Sequence, residues 1–182
     1  EFGGQAIAEA LFGDYNPGGR LAVTFPKSVG QIPFAFPFKP GSDESSETSV
    51  YGALYPFGHG LSYTTFQYSD LVISPSKQGV QGNISISCTI KNIGQREGDE
   101  VVQLYLRDEV SSVTTYTQVL RGFERITLKP EASHTVHFEL TPQELGIWDK
   151  QMNFTVEPGM FKVMIGSSSK DIRLKGEFEI AQ

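Results

Sequence analysis

The sequence predicts a mainly β protein: an all-β sandwich preceded by a short segment containing one helix. Three observations carry this. From Phe66 onward, apolar and polar residues alternate with period two, the spacing that puts one face of a strand in a core and the other in water. Turn-forming clusters at Lys77-Gln78-Gly79, Asn92-Ile93-Gly94, Lys129-Pro130-Glu131 and Glu157-Pro158-Gly159 cut that stretch into short pieces, the rhythm of a sandwich. Before Leu54 there is one helical pattern and one strand-like run, too little to enclose a core of its own.

In chain order, Gly4 to Phe12 reads as a helix. Ala6, Ala8 and Ala10 favour it, Ile7 and Leu11 form an i, i+4 apolar pair, and Gly13 is a left-handed cap. Asn16-Pro17-Gly18-Gly19 is a turn, and Arg20 to Phe25 a short strand stopped by Pro26. The run from Lys39 to Tyr51 is polar, acidic and aperiodic, which predicts a solvated loop. Candidate strands follow at Phe66 to Ser74, Asn83 to Asn92, Glu100 to Asp108, Gln118 to Leu128, His134 to Leu140, Asn153 to Val156, Met160 to Gly166 and Ile172 to Ile180. In the second of these, Ile84, Ile86, Cys88 and Ile90 face the core while Ser85, Ser87 and Thr89 face water. Thr141, Pro142 and Glu144 form a capping box and predict one helical turn. Trp148 follows it. As the only tryptophan in a sandwich it reads as a core plug, with an exposed platform for stacking on sugar rings as the other reading.

Between the two parts lies Leu54-Tyr55-Pro56-Phe57-Gly58-His59-Gly60-Leu61-Ser62-Tyr63-Thr64-Thr65-Phe66. Pro56, Gly58 and Gly60 forbid a regular element, yet the apolar residues are too many for a free linker, so a packed hinge is expected. This stretch resembles the junction between the second and third domains of glycoside hydrolase family 3 enzymes, the β-glucosidase and β-xylosidase group. Gly4 to Leu21 with Thr24-Phe25-Pro26 is similar to the end of that family's α/β sandwich domain. Gly98 to Leu106 and Leu120-Arg121-Gly122-Phe123-Glu124-Arg125 are similar to its third domain. The likeness spans essentially the whole chain in the family's order. It implies a fibronectin type III-like (immunoglobulin-like) β-sandwich preceded by a short α/β remnant, divided as 1–53, a junction at 54–66, and 67–182.

Composition narrows the function. With 38% hydrophobic and 20% charged residues the chain is that of a globular protein, and a net charge of −6 gives no electrostatic footprint for nucleic acid or an anionic membrane. No apolar run nears the roughly 20 residues of a membrane helix. The first residues show no basic-then-apolar leader pattern. One cysteine, Cys88, excludes an internal disulfide and a thiolate cluster, and its strand position predicts an inert inward thiol.

Glycoside hydrolysis needs two cooperating carboxyls. Asp43/Glu44, Asp99/Glu100 and Asp108/Glu109 are adjacent pairs, which a strand sends to opposite faces. His134 and His137, three apart on one strand, make a poor metal pair. Gly3-Gly4 lacks the preceding strand and following lysine of a phosphate loop, and Gly60-Leu61-Ser62 lacks the second glycine of a serine-nucleophile elbow. Asn83-Ile84-Ser85 and Asn153-Phe154-Thr155 match the glycosylation pattern, but within predicted strands. His59, where the resembled family often has tyrosine, reads as structural. The expectation is therefore no catalytic, cofactor-binding or metal residue, and no cofactor.

The resemblance implies a parent enzyme that hydrolyses terminal β-linked glucose or a related sugar from oligosaccharides or glycosides with retention, in the periplasm or outside the cell. In that family the nucleophilic aspartate belongs to the barrel and the acid/base glutamate to the second domain, and no residue here matches either motif. The implied partners are the barrel and the rest of the α/β domain, with oligosaccharide reached through the parent. The loop at 39–51 would approach the sugar cleft. Ile7, Leu11 and Phe12 would contact missing parts of the second domain, or join two copies of the chain. A carbohydrate-binding module and a protein-interaction sandwich are the readings from other classes.

Overall fold

The computed structural model describes residues 2–42 and 52–182. The acidic pair Asp43/Glu44 and most of the loop at 39–51 lie outside the described residues. The elements are α1 (Gly3–Phe12), β1 (Phe25–Pro26), β2 (Ala53–Tyr55), β3 (Phe66–Ser74), β4 (Lys77–Gly79), β5 (Ile84–Asn92), β6 (Gly98–Asp108), β7 (Val119–Leu128), β8 (Ser133–Leu140), α2 (Pro142–Leu145), β9 (Ile147–Trp148), β10 (Phe154–Thr155), β11 (Gly159–Gly166) and β12 (Ile172–Ala181). A single 3-10 turn at Val29–Gln31 precedes β2.

Two sheets make the sandwich, one of five strands ordered β4-β12-β11-β6-β7 and one of three ordered β3-β5-β8. All pairings in them are antiparallel except β4 with β12. The alternation in β5 does what period two requires. Ile84, Ile86, Cys88 and Ile90 are fully buried, and they meet Val136 and Leu140 of β8 and, across the gap, Val102, Leu104, Val163 and Ile165 of β6 and β11. Phe161 and Phe178 stack at 5.3 Å inside this core. Burial holds the Cys88 thiol up to about 11. Each buried isoleucine contributes roughly 1.5–3 kcal/mol.

The mainly β reading holds, as do the eight main strands, with ends moved by one or two residues. Gly13 does end α1 in the left-handed region, at φ 84°. At α2 the Thr141 and Glu144 side chains exchange the bonds of a capping box. Three readings need correction. Arg20 to Phe25 is not a strand; only Phe25–Pro26 pairs, with β2. The backbone of Leu21 is instead taken by the junction, where its N–H donates to His59 O and its carbonyl accepts from Gly58 N. Lys77-Gln78-Gly79 is not a separating turn but β4, pairing parallel to β12 and closed by Lys77 Nζ to Glu179 Oε1 at 2.8 Å. Trp148 is no core plug. It is 58% exposed on the β9–β10 hairpin, whose two-residue strands are too short to show a period.

Candidate functional site: the clamp at the junction

The junction is packed, though by only some of its apolar side chains: Phe66 is buried and Phe57 stacks on Phe36. Leu54, Tyr55, Leu61 and Tyr63 remain exposed, while the backbone around Gly58 is buried. Gly58 adopts φ 81°, and a Cβ there would enter the Gln103 amide. Gln103, itself buried on β6, donates through Nε2 to Gly58 O at 3.3 Å and to Ser167 O at 2.5 Å, and accepts the Tyr105 hydroxyl at 2.5 Å. Ser169 N donates to Phe57 O, and Phe57 stacks on Phe36, which meets Tyr105 edge-on. The polar atoms of this tight turn are thus answered by Gln103 of β6, by the loop after β11 and by Leu21.

The segment before the junction is tied to the same strands. Asn16 donates to Glu97 O at 2.9 Å and accepts from Tyr63 N at 2.8 Å. Arg96 donates to Gly13 O at 2.8 Å, and the Tyr63 hydroxyl to Ala10 O at 2.7 Å, so both hold the end of α1. Centrally, Arg20 Nη2 meets Glu100 Oε1 at 2.6 Å with the two side chains 11% and 3% exposed. Burial pushes the Glu100 carboxyl up, and the nearby Arg20 and Arg173 charges pull against it. The Arg173 guanidinium lies 5.2 Å from the centre of the Tyr68 ring, and burial raises that phenol too. A buried node at Asn92 completes the tie, donating to Arg96 O and Leu128 O and accepting from Thr64 Oγ1 at 2.6 Å.

The residues singled out for chemistry are scattered. Asp99 and Glu100 lie on opposite faces of β6: Asp99 pairs with Arg125 and Thr127, Glu100 with Arg20. Glu109 pairs with Lys162 and Arg107. His134 faces Glu124 at 3.7 Å while His137 is exposed, so the structure does not bring the two histidines together. The His59 ring stacks on Tyr55 at 5.0 Å. Among the described residues, no three His, Cys, Asp or Glu side chains gather as metal ligands would. The Arg20–Glu100 pair was missed from sequence. Eighty positions separate the partners, and neither arginine before a strand nor glutamate in one signals burial.

By contrast α1 is uncovered. None of its residues is buried, and Phe2, Ile7, Leu11 and Phe12 are 62–84% exposed along it. Such a row of large apolar side chains marks a surface meant to be covered.

Comparison with known proteins agrees with this two-part architecture. Residues 1–63 match the glycosyl hydrolase family 3 C-terminal domain, and residues 100–169 match the fibronectin type III-like domain. The chain thus joins a glycosyl hydrolase family 3 C-terminal portion to a fibronectin type III-like domain. It is 44% identical to a periplasmic β-glucosidase of Salmonella typhimurium, over 98% of this chain and 25% of that one. It is 43% identical to a β-xylosidase of Formosa agariphila, over 94% of this chain and 24% of the relative. Among solved structures, a β-glucosidase of Erythrobacter marinus superposes with a TM-score of 0.91 at 39% identity, over 98% of this chain and 24% of that chain. A β-glucosidase of Listeria innocua in complex with glucose gives 0.88 at 30% identity, over 98% and 26%. The chain spans about a quarter of the length of the relatives it matches.

Proposed function

We propose that these residues form the supporting C-terminal part of a family 3 glycoside hydrolase that removes terminal β-linked glucose or a related sugar from oligosaccharides or glycosides with retention, and that they are not catalytic by themselves. The observation that carries this is the pairing of a rigid clamp with an uncovered helix. Arg20 and Asn16 are fastened to the sandwich through Glu100 and Glu97, and the junction through Gln103 and Gly58, while α1 presents its apolar side outward. On this reading the partners are the barrel and the rest of the α/β domain, the junction at 54–66 transmits their position to the sandwich at 67–182, and substrate is met only through the whole enzyme. The periplasmic Salmonella relative supports a periplasmic or extracellular location.

A chromogenic β-glucoside incubated with the purified 182-residue chain tests it. No release of chromophore beyond the buffer blank is expected. Turnover abolished by substituting a carboxylate of this chain would overturn the reading.

A further inference from the structure

The β9–β10 hairpin holds the chain's only tryptophan outside the core. Its ring meets Phe154 at 5.5 Å and 61°, and Phe154 in turn lies over Gly146, where any Cβ would strike the phenyl ring. The turn between them is fixed by Asp149, whose N–H donates to Asn153 O and whose carboxylate accepts from Gln151 N and Asn153 N. The indole is therefore set in place beforehand, and a ligand would lose little by ordering it.

Trp148 lines a hollow of about 260 Å³ together with Tyr116, Arg121 and Glu144. That is below the roughly 300–1,000 Å³ of sites for drug-sized ligands, so it suits a single ring. A second hollow of about 360 Å³ shares Asp108 and the 113–116 wall with it, leaving room for a chain to continue. Arg121 is exposed at the rim of the hollow, and among the described residues its side chain makes no hydrogen bond. Its guanidinium is a planar donor fork open to a ligand in the hollow. A pyranose has what such a hollow lacks: an apolar C–H face for the indole and a rim of hydroxyls that accept from Arg121 and donate to carboxylates. Two carboxylates, Glu144 and Asp108, stand against one arginine, which disfavours an acidic sugar.

We propose that the hollow between Trp148, Tyr116 and Arg121 is an accessory carbohydrate-binding site for a neutral pyranose unit seated on the indole face. The site stands on its own geometry; only the choice of β-linked glucose and xylose oligomers as probes rests on the function proposed above. Because Trp148 is the sole tryptophan, its emission reports on the site directly. Titrating cellotetraose into the 182-residue chain should change that emission saturably, with a calorimetric Kd on the order of 1 mM, the weak end of specific binding. Trp148→Ala should weaken calorimetric binding at least about tenfold with an unchanged thermal midpoint, Trp148→Phe should retain part of it, and Arg121→Gln should also weaken it. Failure of both cellotetraose and xylotetraose to bind, or binding indifferent to Trp148→Ala, would overturn the site. Tighter binding of an oligogalacturonate would overturn its neutral specificity. Recovery of shortened sugar would instead count against the non-catalytic reading, so the two failures are distinguishable.

Discussion

Glu100 is the residue on which the attachment of the first segment turns. Its carboxylate is almost sealed from water and has one hydrogen-bonded cation, Arg20, delivered from eighty positions earlier. A buried pair of this kind adds little net stability over an apolar pair, but removing one partner strands the other's charge. Arg20→Ala is expected to cost about 3–5 kcal/mol in urea unfolding at neutral pH. The deficit should shrink as pH falls, because Glu100 can then take up a proton instead of remaining an unpaired anion. A loss below about 1 kcal/mol, typical of exposed pairs, would show that Arg20 and Glu100 do not hold the two parts together.

Strand β5 shows how much of the fold the sequence displays. Ile86 is fully buried while Ser87, one position on, is only half-buried. Ile86→Ala should lose about 2–5 kcal/mol, a cavity among fixed neighbours, and Ser87→Ala no more than about 0.5 kcal/mol. Equal effects in thermal melts would mean the register is wrong. The sandwich strands were legible because their apolar residues alternate long enough to be counted. Lys77–Gly79 was not, since three residues carry no period and their partner, Glu179–Ala181, lies a hundred positions away. Leu21 and Val23 gave a false strand because their chemistry is that of a strand, while the backbone of Leu21 is claimed by the hinge. Trp148 misled for another reason: composition says how few tryptophans there are, not which side of a short hairpin they occupy. The candidate sugar hollow draws on positions 108, 116, 121, 144 and 148, gathered only by the turns around α2 and the hairpin.

The charges of the whole chain set its response to acid. Asp99 is held below the usual carboxylate range by the Thr127 hydroxyl and Arg125, Glu109 by Lys162, Glu144 by Thr141, Asp149 by the Asn153 amide, Glu157 by Ser112 and Asp171 by Arg173. Each depressed group stabilises the fold above its unfolded pKa and stops doing so as pH falls through its folded one. Glu100 and Asp108, raised by burial, act in the opposite sense and take up protons first. The thermal midpoint should therefore hold level or rise slightly down to about pH 5 and then fall below about pH 4. A midpoint that climbs steadily into acid would contradict the carboxylate pairings.

The last strand, β12, lies inside the larger sheet, between β4 and β11, and spans 172–181. A ribosome making this polypeptide must therefore pass Ala181 before that layer has its second member from the edge. Until then β4 has nothing to lie against, and the inner sides of Phe161 and Val163 face a gap. Proteins commonly fold from the amino end as they emerge. Here Arg20 instead meets, on β6, a sheet that stays incomplete until residues 172–181 have been made.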